Sequence, residues 1–516
     1  MRLAPFMFVA AMPATLAAAA SPPSRAEPAT TPSVAAGDAR FVQALEAFVA
    51  DARRRLEVVP GIAVAISRAN GPLLVAAYGR ADVETGLPAT PDTLFYIASS
   101  TKSFVGLALA RLDARGEIDL DWTLAELAPD VGFAPEVRAG EVTLRHLLTH
   151  THGLDNGAMT FRLAYSGEHD PAALWRLLAR LEPNGEAPLG TFNYGNLGYN
   201  VATLLIERRL GRSWQEIVET EVLEPLGLRR TIARGLAGAR RDWAFASPYD
   251  SARPEAGERL YLVKEDDTMQ SAGGMFSTAR DLARWIQVNL AAARGEASPI
   301  PAPVVASTHN AIAALDERFE MFQRSGYGLG WYSGDFGGDG LFHSFGGFAG
   351  ARAHVSFMPA RNLGVAVLVN DQGSGFVLAD AVAAFAYEWF QHGPESASRE
   401  GVARIERIAA RSAELRQRDA GQRAERAQRR WQLTLPRARY AGRYCSPDYG
   451  TISLEGVDGQ FAMTMGRLRA VAEPFTDPDS MRFEPIPGSG MVLRFRIDDQ
   501  TAVAVTGFGS TFERCG

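Results

Sequence analysis

The order of apolar patterns along this 516-residue chain predicts an α+β fold. Strand-like runs fill residues 61–86, a helix-rich stretch covers 99–300, and strand-like runs return at 326–334, 341–347 and 351–371. Strands at both ends of a helical region favour one antiparallel sheet with helices inserted, rather than a repeating βαβ order. Short β-type runs after Pro436, separated by Gly, Asp and Pro, predict a further small all-β module at residues 436–516.

The first residues resemble a targeting segment. Arg2 precedes an apolar run that ends in small alanines, so residues 1–20 are predicted to be a secretory signal peptide. Pro5 and Pro13 interrupt the run, which is too short to span a bilayer. Residues 21–39 are rich in Pro, Ser and Ala and predict a flexible leader. We therefore expect a periplasmic or secreted protein with no transmembrane segment after signal cleavage.

The catalytic region is expected to begin with a helix and a hairpin. Residues 38–56 have apolar residues at helical spacing, and Asn70-Gly71 joins two β-type runs as a hairpin turn would. Residues 393–435 are dense in Arg, Glu, Gln and Ala without a deep apolar face, which predicts a solvated helical linker. The two cysteines, Cys445 and Cys515, lie near the start and end of the last module, so an exported chain would allow a disulfide between them.

The net charge of the chain limits the kinds of partner that the sequence predicts. A net charge of −6 and a pI near 5.9 provide no basic footprint for nucleic acid. We expect a small-molecule or peptide substrate, no cofactor and no metal, and the sequence leaves a homo-oligomer open.

Lysine is scarce in this chain, which contains only Lys102 and Lys264. Lys102 follows Ser99 by three residues at the start of a helical pattern, so both side chains lie on one face. A serine at a helix N-terminus has N–H groups nearby that favour an oxyanion. Arginine cannot lose its proton in a protein, whereas a desolvated lysine can act as a base. Ser99 and Lys102 are therefore predicted to be a nucleophile and its base.

Tyr194 and Asn196 form a second candidate element, in "TFNYGNLGYN". A positive charge beside a tyrosine loosens its phenol proton, so Tyr194 is predicted to relay a proton between Ser99 and the leaving group. Asn196 would contact Lys102 or a substrate amide.

These residues, in this order, resemble the serine hydrolases of the class C β-lactamase and D-peptidase group, which is related to penicillin-binding proteins. The likeness covers roughly residues 40–390 and includes the blocks "LFYIASSTKSF", "QSAGGMFSTARDLARW" and "YGLGWY". It implies a β-lactamase/transpeptidase-like domain at 40–392, with an antiparallel sheet flanked by helices and a helical subdomain. It also implies that Ser99, Lys102 and Tyr194 are catalytic and that residues 436–516 form a lipocalin-like β-barrel.

The third motif of that group, Lys-Thr-Gly or His-x-Gly, is altered here. The corresponding strand reads "HSFGGFAG", and alignment by the glycines puts Ser344-Phe345-Gly346 at the motif with His343 one place early. We expect His343 and Ser344 to contact substrate, and one oxyanion N–H to come from Ser99 and the other from Gly346 or Gly347. Loss of an assured cation weakens a penicillinase assignment and favours esters or peptides.

Two alternatives remain at this point. His146, His150 and His152, with Asp155, resemble the metal cluster of metallo-β-lactamase-type hydrolases, although the spacing is wrong by one residue. The same histidines would otherwise cap a helix and fix a loop. A non-turnover penicillin-binding or peptidoglycan-sensing protein, in which Ser99 is acylated and not released, is the other alternative.

Overall fold

The structure is a computed structural model that describes residues 36–56, 60–236, 242–251, 259–457 and 460–515. The predicted signal peptide lies outside these ranges, as does the leader up to residue 35. Residues 36–39 already belong to the first helix, whose first turn carries Asp38, an acidic residue suited to a helix N-terminus. The helix therefore begins four residues before the predicted end of the leader.

The helices and strands follow in the order that the sequence patterns predict. The α-helices of the described ranges are α1 Ala36–Arg55, α2 Thr101–Ala114, α3 Leu124–Leu127, α4 Leu144–Leu148, α5 Gly157–Phe161, α6 Pro171–Leu178, α7 Leu197–Leu210, α8 Trp214–Val218, α9 Glu224–Leu226, α10 Ala279–Ala293, α11 Ala302–Ser307, α12 Ser374–His392 and α13 Pro394–Ala427. The strands before residue 370 are β1 Gly61–Arg68, β2 Gly71–Asp82, β3 Leu87–Pro88, β4 Phe95–Tyr96, β5 Leu154–Asp155, β6 Glu182–Pro183, β7 Phe276–Ser277, β8 Ala313–Phe319, β9 Phe322–Tyr327, β10 Tyr332–Phe336, β11 Asp339–Phe348, β12 Ala351–Met358 and β13 Leu363–Val369. The C-terminal strands are β14 Gly442–Ser446, β15 Gly450–Val457, β16 Gln460–Met465, β17 Leu468–Val471, β18 Glu473–Pro474, β19 Ser480–Ile486, β20 Ser489–Asp498, β21 Thr501–Gly507 and β22 Ser510–Arg514.

The main sheet joins the two ends of the catalytic region. Its nine strands lie in the order β3-β2-β1-β13-β12-β11-β10-β9-β8, and its neighbouring strands pair antiparallel. The early strand β1 pairs with the late strand β13, with Ile62 opposite Val369. Both strands are buried on both faces, which matches their nearly continuous apolar sequences. The α+β prediction of one antiparallel sheet with inserted helices is confirmed.

Helices cover the sheet on both sides. One face packs against α2 and α10 and continues into the core of the inserted helices, whereas the other packs against α1 and α12. Helix α13 joins this second layer, because its first half buries Ala397, Gly401, Ile405 and Ile408. The expectation of a solvated linker is wrong for that half, because the absence of a side chain at Gly401 lets the helix approach Phe48 and Phe385 closely.

A fully buried chain of polar side chains lies between the sheet and α12. The His354 ring bonds through Nδ1 to Asp380 at 2.7 Å and through Nε2 to Ser356 Oγ at 2.6 Å. Ser356 also bonds to the Tyr387 hydroxyl at 2.7 Å, and Arg352 donates to Asp380 at 2.8 Å. All five residues are at most 1 % exposed, so this network fixes α12 to β12 within the core.

The C-terminal module is a nearly closed nine-stranded barrel, in the order β17-β16-β15-β14-β22-β21-β20-β19-β18. Its interior holds a separate apolar core, and Cys445 and Cys515 are bridged across the neighbouring ends of β14 and the chain after β22. Arg162 of the catalytic region donates to the Pro447 carbonyl at 3.0 Å, which attaches the barrel to the inserted helices. The predicted β-barrel is confirmed. Among the described helices, none is both long and apolar enough to cross a membrane.

Candidate active site

Ser99 lies in a tight turn, Ala98–Ser100, directly before α2. Ala98 has a φ of 45°, in the left-handed region that residues with a Cβ seldom adopt. Ser99 itself is partly exposed, whereas the residues on both sides of it are buried. The strained turn thus presents one hydroxyl at the start of a helix, as the sequence predicts.

Lys102 reaches back from the first turn of α2 to Ser99. Its Nζ lies 3.3 Å from Ser99 Oγ, 2.9 Å from Asn196 Oδ1 and 2.8 Å from the Ala272 carbonyl oxygen. The side chain is 1 % exposed, and no carboxylate accompanies it in these contacts. Burial therefore lowers the pKa of Lys102 to about 7, so a large share of the amine is neutral near neutral pH.

Tyr194 lies beside both residues. Its ring centroid is 4.9 Å from Lys102 Nζ, and its hydroxyl is hydrogen-bonded to Ser99. Burial raises the pKa of Tyr194 to about 12, while the bond to Ser99 and the charge of Arg324 act in the opposite direction. The expectation that lysine loosens the phenol proton is wrong, because desolvation outweighs the nearby charge. The Tyr194 hydroxyl therefore keeps its proton near neutral pH.

Asn196 and a loop that the sequence reasoning overlooked hold the lysine. Asn196 begins α7 and accepts from Lys102, as predicted. The Ala272 carbonyl belongs to the block "QSAGG", whose Gln270 accepts a 2.6 Å hydrogen bond from Asn200 on α7. The position of this block in the chain indicated that it belongs to the site. The contact itself could not be predicted, because any residue type can offer a backbone carbonyl.

The third motif differs from the alignment made on the sequence. His343 is 1 % exposed and accepts a 3.1 Å hydrogen bond from Arg324, behind the site. Ser344 is buried in β11. Phe345 is the residue of this strand whose ring stacks on Tyr194, with centroids 5.9 Å apart. The expectation that His343 contacts substrate is therefore wrong, because its ring is buried against Phe322 and Tyr332, although it lies on the same face of the strand as Phe345.

The two candidate glycines of β11 differ in position. A Cβ on Gly346 would lie 1.9 Å from the Ile97 carbonyl oxygen and 3.1 Å from Ser99 N, so β11 passes directly against the Ser99 turn. A Cβ on Gly347 would instead meet the Phe376 ring at 2.3 Å. Only a residue without a side chain allows the first approach, and Gly346 is the glycine next to Ser99.

The histidines do not form the cluster that a metal alternative needs. His146 Nδ1 accepts from Thr143 N and caps α4, and His152 Nδ1 accepts from Leu154 N. His150 Nε2 bonds to the Tyr327 hydroxyl at 3.2 Å, and Asp155 is exposed. The described ranges contain no group of three His, Cys, Asp or Glu side chains arranged to hold a metal ion. The histidines cap a helix and fix loops, which is the other role that the sequence left open.

The second lysine also lies in this region. Lys264 is buried, with Nζ 4.0 Å from the centroid of Phe348, at the end of β11, and 5.6 Å from that of Tyr165. It donates to the Ala164 carbonyl, and burial lowers its pKa to about 7.

A family model described as Beta-lactamase matches residues 43–388. Esterase EstB of Burkholderia gladioli is 36 % identical over 224 residues, which cover 41 % of this chain and 55 % of the esterase. The unguisins hydrolase ungD' of Aspergillus campestris is 26 % identical over 323 residues, covering 60 % of this chain and 58 % of the hydrolase. The matches thus span a little more than half the length of these two relatives.

A β-lactamase of Yersinia enterocolitica is 25 % identical over 346 residues, covering 60 % of this chain and 82 % of that protein. Two solved structures resemble the fold at low identity. The octameric penicillin-binding protein homologue from Pyrococcus abyssi has a TM-score of 0.57 at 22 % identity, covering 91 % of this chain and 99 % of that one. SurE has a TM-score of 0.53 at 21 % identity, covering 93 % of this chain and 99 % of that one.

Proposed function

The chain belongs to the β-lactamase family, and from that premise we propose that it is a serine hydrolase that cleaves an ester or amide through an acyl-enzyme on Ser99. The observation that carries the proposal is the approach of the Lys102 amine to the Ser99 hydroxyl, at 3.3 Å, within a buried site. A neutral amine at this distance can accept the hydroxyl proton as oxygen attacks a carbonyl.

Acylation then follows from the contacts of the site. The serine oxygen bonds to the substrate carbonyl carbon while its proton moves to Lys102 Nζ. Asn196 Oδ1 and the Ala272 carbonyl oxygen accept from the ammonium that forms. Backbone N–H groups of Ser99 and of the strand around Gly346 would hold the oxyanion, since the two backbones approach closely.

Tyr194 supplies the other half of the proton transfer. As a neutral phenol it can donate its proton to the departing oxygen or nitrogen, and Lys102 restores that proton. The acyl-enzyme forms and the alcohol or amine leaves. A water molecule, deprotonated by the same pair, then attacks the acyl carbon and releases the acid, which regenerates the Ser99 hydroxyl. No metal takes part in these steps.

Esters are the substrates that we favour. Phe345 is stacked on Tyr194, so the wall beside the general acid is aromatic. Phe192 and Tyr332 extend it, with ring centroids 6.3 Å apart. These rings can hold the apolar part of an ester, with the Arg324 guanidinium behind them at 3.7 Å from the Tyr332 ring centroid, and one relative of the chain is named an esterase.

The test is release of p-nitrophenol from p-nitrophenyl acetate by the purified protein and by its Ser99→Ala variant. We expect sustained turnover that the variant loses and that a chelator leaves unchanged. Equal activity in both proteins would refute the assignment of Ser99 as the nucleophile. A burst of one equivalent without further turnover would instead favour the non-turnover penicillin-binding alternative, and loss on chelation would favour the metal alternative.

Export and assembly remain proposals. We propose that the protein is periplasmic or secreted, which the bridge between Cys445 and Cys515 supports because such bonds persist in oxidising compartments. Mass spectrometry of the protein recovered from a periplasmic extract would test cleavage after residue 20. A homo-oligomer stays a prediction, which light scattering of the purified protein would check.

A further inference from the structure

A large cavity lies between the main sheet, α13 and the barrel. Its volume is about 1130 Å³, and its walls come from the turn between β8 and β9, the start of α12, much of α13 and the barrel around residues 482–490. Phe319, Phe345 and Arg352 belong to its wall on the main sheet. The catalytic steps proposed above do not involve this cavity.

Stacked aromatic rings lie between the cavity and the Ser99 site. Phe319 borders the cavity, and its ring stacks on that of Phe345, with centroids 4.8 Å apart. The Phe345 ring stacks in turn on Tyr194, with centroids 5.9 Å apart. A molecule bound in the cavity would therefore not need to enter the Ser99 site, and its identity is a separate question from that of the substrate.

The cavity wall carries an excess of positive charge. Among its described residues, nine are arginines and five are aspartates or glutamates. Arg404, Arg407 and Arg411 follow one another along one face of α13, and within the described ranges they form no salt bridge and no hydrogen bond. Glu388 and Glu400 attract Arg404, while Arg407 repels it. Positive charges held this close repel one another, so an anion between them would lower the free energy of the cavity.

Two arginines of the wall have buried N–H groups without an acceptor. Arg352 is 1 % exposed and donates from Nη2 to Asp380 at 2.8 Å, yet its Nε and Nη1 atoms have no partner among the described residues. The guanidinium lies 4.7 Å from the Phe376 ring centroid, and a ring is a weak acceptor. The Nη1 atom of Arg404 is likewise buried without a described partner. Unpaired buried N–H groups are costly, and oxygen atoms of a ligand would pair them.

The packing of α12 on α13 brings these arginines to one part of the cavity. Ser374 of α12 donates to Ser412 of α13 at 3.0 Å, and a Cβ on Gly401 would lie 2.9 Å from the Phe385 ring, so the two helices run antiparallel. Asp380 lies between these two contacts on α12, and the three arginines lie between them on α13. The buried guanidinium that is paired with Asp380 therefore borders the same part of the cavity as the arginines of α13.

We propose that this arginine-lined cavity binds a ligand with more than one phosphate group, held by Arg352 on the main sheet and by Arg404, Arg407 and Arg411 on α13. Each guanidinium has five N–H donors, and four such groups offer far more than one carboxylate can accept. A phosphate group has a higher charge and more acceptor oxygens than a carboxylate, and it accepts paired donors from a guanidinium. This site goes beyond the proposed hydrolase activity and does not depend on it.

The test is calorimetric titration of the protein with tripolyphosphate and, separately, with citrate, a carboxylate-only anion that also has several charges. The variant is Arg407→Gln with Arg411→Gln, both exposed positions in the cavity wall. The matched control is Arg399→Gln with Arg418→Gln, which removes two charges from exposed positions of the same helix outside the described wall. Arg352→Gln is avoided, since it would also deprive Asp380 of its ion-pair partner.

We expect tripolyphosphate to bind more tightly than citrate. Its dissociation constant should rise at least about tenfold in the cavity variant, stay within about twofold in the control, and rise with salt concentration. Tripolyphosphate should also raise the unfolding midpoint of the unmodified protein and of the control more than that of the cavity variant. Absence of binding, or equal binding by the two double variants, overturns the inference. Citrate that binds as tightly as tripolyphosphate overturns the assignment to phosphate.

A crystal structure of the protein with tripolyphosphate tests the buried contacts. We expect phosphate oxygens within hydrogen-bond distance of the unpaired nitrogens of Arg352 or Arg404, and density at the Ser99 site alone would overturn the inference. The Ser99→Ala variant should bind tripolyphosphate as the unmodified protein does. None of these measurements uses ester turnover, so a failure of the proposed function would leave their outcome unchanged.

Discussion

The proton affinity of Lys102 gives the sharpest test of the mechanism. An exposed lysine has a pKa of about 10.4, so roughly one amine in 2,500 is neutral at pH 7. Burial lowers the pKa of Lys102 to about 7, so about half of the amine is neutral at that pH. The site therefore gains about a thousandfold in available base.

Replacing Lys102 by arginine keeps a positive charge near Asn196 Oδ1 and removes that base, since a guanidinium does not release its proton in a protein. We expect acylation by Lys102→Arg to be at least about a thousandfold slower at pH 7. Stopped-flow release of p-nitrophenol in the first turnover measures acylation directly. Matching circular dichroism spectra and unfolding midpoints would show that the variant is folded.

The pH profile of the unmodified protein tests the same reasoning without a variant. The amine must be neutral to act, so acylation should rise tenfold per pH unit below about 7 and level off above it. Since the pKa of Tyr194 is raised to about 12, its loss of a proton should not lower the rate below pH 10. Acylation by Lys102→Arg within tenfold of the unmodified protein, or a profile that is flat through pH 7, would refute the assignment of Lys102 as the base.

Other parts of the site make separate predictions. Tyr194→Phe keeps the ring and loses the proton donor, so hydrolysis of an alkyl ester should become about 10² to 10⁴-fold slower. Hydrolysis of p-nitrophenyl acetate, whose leaving group needs no proton, should slow much less. Equal losses for the two esters would contradict the role of Tyr194 as proton donor. Gly346→Ala should abolish most ester turnover because its Cβ would meet the Ile97 carbonyl, whereas Gly340→Ala in the same strand has open space and should retain it. Replacing Cys445 and Cys515 by serine should lower the free energy of unfolding of the barrel by about 4 kcal/mol, from the closure of a long loop, as followed by urea denaturation; an unchanged midpoint would contradict this.

The spacing of Ser99 and Lys102 along the chain predicted correctly that the two side chains lie together. Ser99 and Lys102 are three residues apart at a helix start, and that geometry depends on nothing beyond the helix itself. The scarcity of lysine drew attention to position 102, where the structure places the amine beside Ser99. The early and late strands also showed their type in the sequence, because period-two and continuous apolar runs are local properties.

The features that the sequence did not predict depend on the surroundings of a residue. His343 has a plausible place in the motif, but the rings of Tyr332 and Phe322 surround its side chain and bury it. The pKa of Tyr194 is set by the burial of its ring, which a neighbouring residue type does not reveal. The first half of α13 looks polar in sequence, yet a few small and apolar residues such as Gly401 suffice to pack it onto the sheet layer.

The buried network of Ser356, His354 and Asp380 has the atoms and bonds of a hydrolytic triad: serine to imidazole at 2.6 Å, imidazole to carboxylate at 2.7 Å. Ser356 is fully buried in the core, where no substrate carbonyl can reach it, and its hydroxyl is also hydrogen-bonded to the Tyr387 hydroxyl. Interatomic distances alone would select this serine as a nucleophile ahead of Ser99. What distinguishes the two is access: a reactive hydroxyl needs a route by which substrate can enter and product can leave.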